Sequence, residues 1–82
     1  MPSRFNVGGL YMSDIDKGLY DVPNIWHSEF LGTLSKHTPF VVLDIQYYLT
    51  KRFLKVLTVD GIIGFIKMFE EGEKVKEFNY NE

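Results

Sequence analysis

Residues 57–67 read LTVDGIIGFIK, an Asp-Gly pair between two apolar runs with a second glycine three residues on. The flanking runs are β-branched and aromatic, which suits a pleated, half-buried surface. Asp60-Gly61 is therefore read as the centre of a two-residue type I′ hairpin turn, in which both residues take positive φ. Gly64 then falls inside the second strand. A glycine there marks a strongly bent strand, or a place where another backbone or ring packs close.

Working outward, PFVVLDIQ (39–46), KRFLKVLTV (51–59) and IIGFIKMF (62–69) read as short strands, with YYLT (47–50) joining the first two. EFLGTL (29–34) is a further strand, and RFNVGGLYM (4–12) is one broken by its Gly-Gly pair. Residues 13–28, SDIDKGLYDVPNIWHS, contain the turn signals Asp-Lys-Gly and Val-Pro-Asn and read as a long loop. The tail EEGEKVKEFNYNE (70–82) reads two ways, as a closing strand over Lys74 to Phe78 or as a flexible acidic end. No segment sustains a 3.6-residue period, which argues against a helical bundle. The expectation is all-β: a single domain over residues 1–82, built as a small antiparallel barrel of about five strands with a long loop before the second.

Composition sets the function classes. The chain has 82 residues and no cysteine, so disulfides and thiolate metal sites are excluded. A net charge of −2 gives no field to draw nucleic acid. The apolar stretch GIIGFI is far shorter than the roughly 20 residues of a membrane span, and the first residues carry no export signal. A cytoplasmic protein is expected. Aromatic residues make up 16% of the chain, so some rings are expected near the surface as contact residues.

From Glu29 onward, an ordered series of short motifs resembles the bacterial SH3-like (SH3b) barrel family. The series is Gly32-Thr33-Leu34, Lys36-His37-Thr38, Val41-Val42-Leu43, Phe53-Leu54-Lys55-Val56 and Asp60-Gly61-Ile62-Ile63-Gly64-Phe65-Ile66. It covers about half the chain. Phe53 and Phe65 stand where the family pattern has tryptophan, and His37 stands where it has a turn glycine. Gly18-Leu19-Tyr20-Asp21 also echoes a motif of eukaryotic SH3 domains, but the residues that clamp proline-rich ligands there have no counterparts. Chains of this kind resemble small accessory proteins of bacteriophages, which implies work in a host cytoplasm.

Strand alternation locates the candidate site. Phe40, Val42 and Asp44 share one face of their strand, and Val41, Leu43 and Ile45 the other. Leu54, Val56 and Thr58 oppose Phe53, Leu57 and Val59. Ile62, Gly64 and Ile66 oppose Ile63, Phe65 and Lys67. Both faces are largely apolar, where a sheet with one wet face shows polar residues on half these positions. One face fills a core. The other needs a cover, either the 13–28 loop with Leu19, Tyr20 and Trp26, or a partner. The partner-binding residues expected are Phe40, Phe53, Phe65 and Ile63, ringed by Tyr47, Tyr48, Tyr20 and Trp26. The partner is another protein or a second copy of this chain.

Chemistry finds less support. A Ser-His-Asp set drawn from Ser28 or Ser35, His27 or His37 and Asp21 lacks a nucleophile-elbow motif. Asp14, Asp16, Asp21 and Asp44 lack a calcium-loop pattern, and the histidines lack metal-ligand spacing. No phosphate loop is present. Lys51, Arg52 and Lys55 near Tyr47, Tyr48 and Phe53 form the outline of a single-strand nucleic-acid platform. The expectation is a non-enzymatic protein-binding module with no cofactor and no small-molecule substrate. A self-associating structural protein is the alternative, and single-stranded nucleic-acid binding comes third.

Overall fold

The computed structural model describes residues 5–23, 27–70 and 72–77. Seven strands run β1 (Leu10–Ser13), β2 (Lys17–Tyr20), β3 (Phe30–Leu34), β4 (Pro39–Tyr48), β5 (Lys51–Thr58), β6 (Ile63–Lys67) and β7 (Val75–Glu77). They form one antiparallel sheet in the order β3-β2-β6-β5-β4-β1-β7. There is no helix among the described residues. The all-β expectation holds. The barrel of about five strands gives way to an open sheet of seven, with β3 and β7 as its edges.

Two strands account for the difference. β2 lies within the segment read as a long loop. The preceding Asp16 and its own Gly18 favour a turn and mask a four-residue strand, which inserts between β3 and β6 and buries Leu19. β7 takes up the tail in the closing-strand sense, pairing Tyr11 with Glu77 and Ser13 with Val75. β4 also runs further than expected, through Tyr48, so only Leu49 and Thr50 turn into β5.

The sheet curls without closing. Leu19 and Leu34 from one end share a core with Phe5, Tyr11 and Phe69 from the other, around Phe40, Val42, Leu54, Val56 and Ile66. Lys17 on β2 reaches across to Glu73, just before β7, with Nζ 3.2 Å from Oε1 and 4.7 Å from the centre of the Phe69 ring. Phe5 packs on Tyr11 and Phe69 at ring separations of 4.8 and 5.7 Å. Ser13 is fully buried and satisfies its hydroxyl locally, donating to Ile15 O and accepting from Ile15 N–H.

The opening stretch differs in its turn. Gly61 has φ 82°, but among the described residues His37 and Leu49 are the only non-glycines with positive φ, so Asp60 keeps an ordinary backbone. Thr58 N–H donates to Ile62 O at 2.9 Å, and Gly61 N–H donates to Thr58 O at 3.0 Å. The connection is thus a three-residue loop, Val59-Asp60-Gly61, with glycine at its left-handed position. The Thr58 hydroxyl accepts from Ile62 N–H and reinforces it. Gly64 is required by close approach: a Cβ there would stand 3.0 Å from Tyr20 O and 2.9 Å from Leu19 Cγ.

Candidate interaction surface

Register builds the face opposite the core. Phe30 on β3 lies against Tyr20 on β2, Tyr20 against Phe65 on β6, Phe65 against Lys55 on β5, and Lys55 against Asp44 on β4. The Tyr20 and Phe30 rings meet edge-on at 5.7 Å. Phe53 lies two residues from Lys55 on the same face, opposite Lys67. Phe53 is only 1% exposed and Phe65 8%, although neither belongs to the central core cluster.

The chain itself supplies cover on this face. Tyr20, Ser28, Phe53 and Lys67 surround a small cavity of about 100 Å³, so Ser28, just before β3, lies beside Phe53. The neck of the β2–β3 connection is tied. Asp21 N–H donates to Glu29 O at 3.1 Å, and Glu29 N–H donates to the Asp21 carboxylate at 2.7 Å. These two hydrogen bonds hold Asp21 and Glu29 together at the ends of β2 and β3.

The expected site residues separate accordingly. Phe40 lies on the core face, with its ring 6.2 Å from that of Tyr11, and is fully buried. The reading that placed it on the outer face is corrected, because Phe40 pairs with Thr58 and Tyr11 on the face that fills the core. Phe53 and Phe65 do lie on the outer face, but buried. As the chain stands, these three rings offer a partner almost no surface. Ile63 is 54% exposed on the same face as Phe65. Tyr20 and Tyr48 are half-buried, and Tyr47 is exposed near the tip of the β4–β5 hairpin. Trp26 lies outside the described residues.

Other residues form the exposed apolar surface. Phe30 is 59% exposed, and Leu31, Val59 and Ile62 are also open to solvent. Leu31, Val59 and Ile62 line a hollow of about 140 Å³ between β3 and the β5–β6 turn, with the buried Leu19 and Leu34 in its wall. Phe30 and Ile63, each next in sequence to one of these, are exposed on the other face, so an apolar strip wraps this end of the sheet around the β3 edge. The one sequence signal for it was EFLGTL, a strand with no charge after Glu29. Its position at the edge is a property of topology.

The chemical alternatives are less well assembled. Asp21 is held by Glu29, and His37 Nε2 lies 3.7 Å from Asp14 Oδ1. No serine hydroxyl bonds to a histidine among the described residues. No group of three or more His, Asp or Glu side chains is placed to hold a metal ion among them either. Arg52 and Lys51 lie opposite Tyr47 and Tyr48, beside a cleft of about 420 Å³ bounded by Thr50–Phe53 and Lys67–Glu70. With Phe53 buried, that basic cluster lacks a ring the platform reading needs for base stacking.

Tyr11 is pushed above the usual tyrosine range, chiefly by burial and secondarily by the nearby Glu77 carboxylate, while the hydrogen bond from Asn6 N–H acts the other way. It belongs to the core. No described helix is long and apolar enough to cross a membrane. Compared with protein-family models, curated proteins and solved structures, the chain matches none.

Proposed function

We propose that this chain is a non-enzymatic protein-binding module that docks through the apolar strip at the β3 edge. The observation that carries the reading is the hollow at the β3 edge, where Leu31 meets Val59 and Ile62 from the β5–β6 turn, with Phe30 and Ile63 exposed one residue along from it. An apolar patch of this kind marks an interaction site in a folded protein. The buried rings Phe53 and Phe65 lie on the same face, Phe65 directly beside Tyr20, and serve as its support. The SH3-like motif series, which runs from β3 through β6, is compatible with this role, since small barrels and curled sheets commonly present edges and loops to partners.

Affinity capture with the wild-type chain and with Phe30→Lys and Ile63→Lys tests the proposal. Both residues are more than half exposed, so the variants should fold. A bound protein retained by the wild type and lost by either variant supports the strip. Equal retention by all three chains contradicts it.

A further inference from the structure

We infer that the free edge of β3 pairs antiparallel with β3 of a second copy of this chain, closing a two-fold dimer. The inference rests on the docking reading and names its partner.

The two sheet edges differ in chemistry. β7 carries Lys76 and Glu77, both exposed, and is preceded by Lys74. Charged edge strands resist pairing with another chain. β3 reads Phe30-Leu31-Gly32-Thr33-Leu34, with no charge and no proline. Its register shift against Leu19 and Tyr20 sets Phe30 against the Tyr20 ring on one face and Leu31 in the hollow on the other. Both faces of a seam along this edge would therefore gain an apolar side chain.

A second copy fits this edge by charge as well as by shape. Glu29 precedes β3, and Lys36 follows it by two residues. Neither side chain has an ion pair within its own chain among the described residues. Antiparallel pairing runs the Glu29 end of one strand toward the Lys36 end of the other. The two-fold axis repeats this, so two opposite-charge approaches flank an uncharged centre. The seam places no like charges opposite one another, an arrangement that would oppose pairing.

Closure follows from the asymmetry of the edges. A head-to-tail contact of β3 with β7 would leave a free β3 and β7 at the ends and propagate into a filament. The charges on β7 disfavour that contact. Pairing β3 with β3 uses up the neutral edge on both copies and leaves only charged edges outside. The same arrangement removes the exposed Phe30 and Leu31 from solvent, where they would be an aggregation hazard.

Sedimentation equilibrium across a concentration series tests this. The wild type should be a dimer that dissociates on dilution. Leu31→Lys should be monomeric with an unchanged far-ultraviolet dichroism spectrum. Glu29→Lys and Lys36→Glu should each weaken the dimer about threefold to tenfold, and the double variant should restore it, because both pairs are rebuilt with reversed sign. A wild type that stays monomeric up to about 1 mM, a weak affinity by any standard, overturns the inference. So does a dimer indifferent to Leu31→Lys and to both charge reversals. The docking reading stands or falls separately. A monomeric wild type that loses a captured protein through Phe30→Lys removes self-pairing and keeps the docking surface. Indifference of both association and capture to Phe30→Lys removes both.

Discussion

Gly64 on β6 packs so closely under β2 that a side-chain carbon on it would stand 3.0 Å from the carbonyl oxygen of Tyr20. The same carbon would sit 2.9 Å from Leu19 Cγ, the branch point of a buried side chain. Neither neighbour is the free end of a flexible group. The glycine therefore sets how closely β2 approaches β6, and with it the position of β3 at the sheet edge. Gly64→Ala should cost about 1–3 kcal/mol, read as a fall in the urea midpoint, and Gly64→Val should cost more. An alanine variant as stable as wild type would contradict the close approach.

His37 lies in the β3–β4 turn with φ 63°, a backbone conformation that glycine adopts freely and other residues at a cost. Its imidazole is exposed and 3.7 Å from an exposed Asp14, a contact of little consequence for stability. Its own N–H donates to Ser13 O at 2.7 Å and fixes the turn against β1. His37→Gly keeps that hydrogen bond and relieves the backbone. It should stabilise the fold by about 0.5–1 kcal/mol, visible as a rise in Tm.

The Tyr11 ring is buried in the core, and its hydroxyl accepts from Asn6 N–H at 2.6 Å at the core's part-buried margin. Burial raises its pKa above that of an unfolded tyrosine, about 10. Above that pH the unfolded chain has released the proton while the folded chain still holds it. The contribution is therefore complete below pH about 10 and is lost as pH rises through the folded value. Denaturant titrations should show the wild type losing stability at high pH more steeply than Tyr11→Phe. At neutral pH, Tyr11→Phe should be less stable by about 1–2 kcal/mol, because Asn6 N–H loses its acceptor.

Phe53 and Phe30 share the outer face but differ in role. Phe53→Ala should cost about 3–5 kcal/mol, enough to unfold a domain of this size at ordinary temperature. Phe30→Ala removes a ring already 59% exposed and should leave stability within about 1 kcal/mol. The two variants separate support from contact: thermal unfolding should respond to the first, association to the second.

Much of this fold is legible along the chain. β5 and β6 follow from alternation of β-branched and aromatic residues around Asp60-Gly61, and the faces of Leu54 against Phe53 and of Ile66 against Phe65 come out as expected. β4 shows where alternation fails. A register shift between Val42 and Asp44 moves Leu43 out of step, so Ile45 lines up with Leu54 and packs against the same core as Phe40 and Val42. No feature of PFVVLDIQ announces that irregularity. β2 was hidden because Gly18 and its aspartate neighbours favour a turn locally, and pairing with β3 and β6 overrides that preference. The exposed strip was hidden for another reason: Phe30 and Phe53 are equally apolar in sequence, and the order of strands puts one on the edge strand and the other on a central strand.

The central claim concerns where this protein touches a partner. Backbone amide NMR spectra recorded from dilute to near-millimolar concentration test it residue by residue. The account predicts concentration-dependent shifts confined to Phe30–Leu34 and to Val59–Ile63, with Val75–Glu77 unmoved. Shifts centred on β7 or on the Leu49 hairpin tip would contradict it, and spectra that do not change at all would contradict self-pairing at the β3 edge.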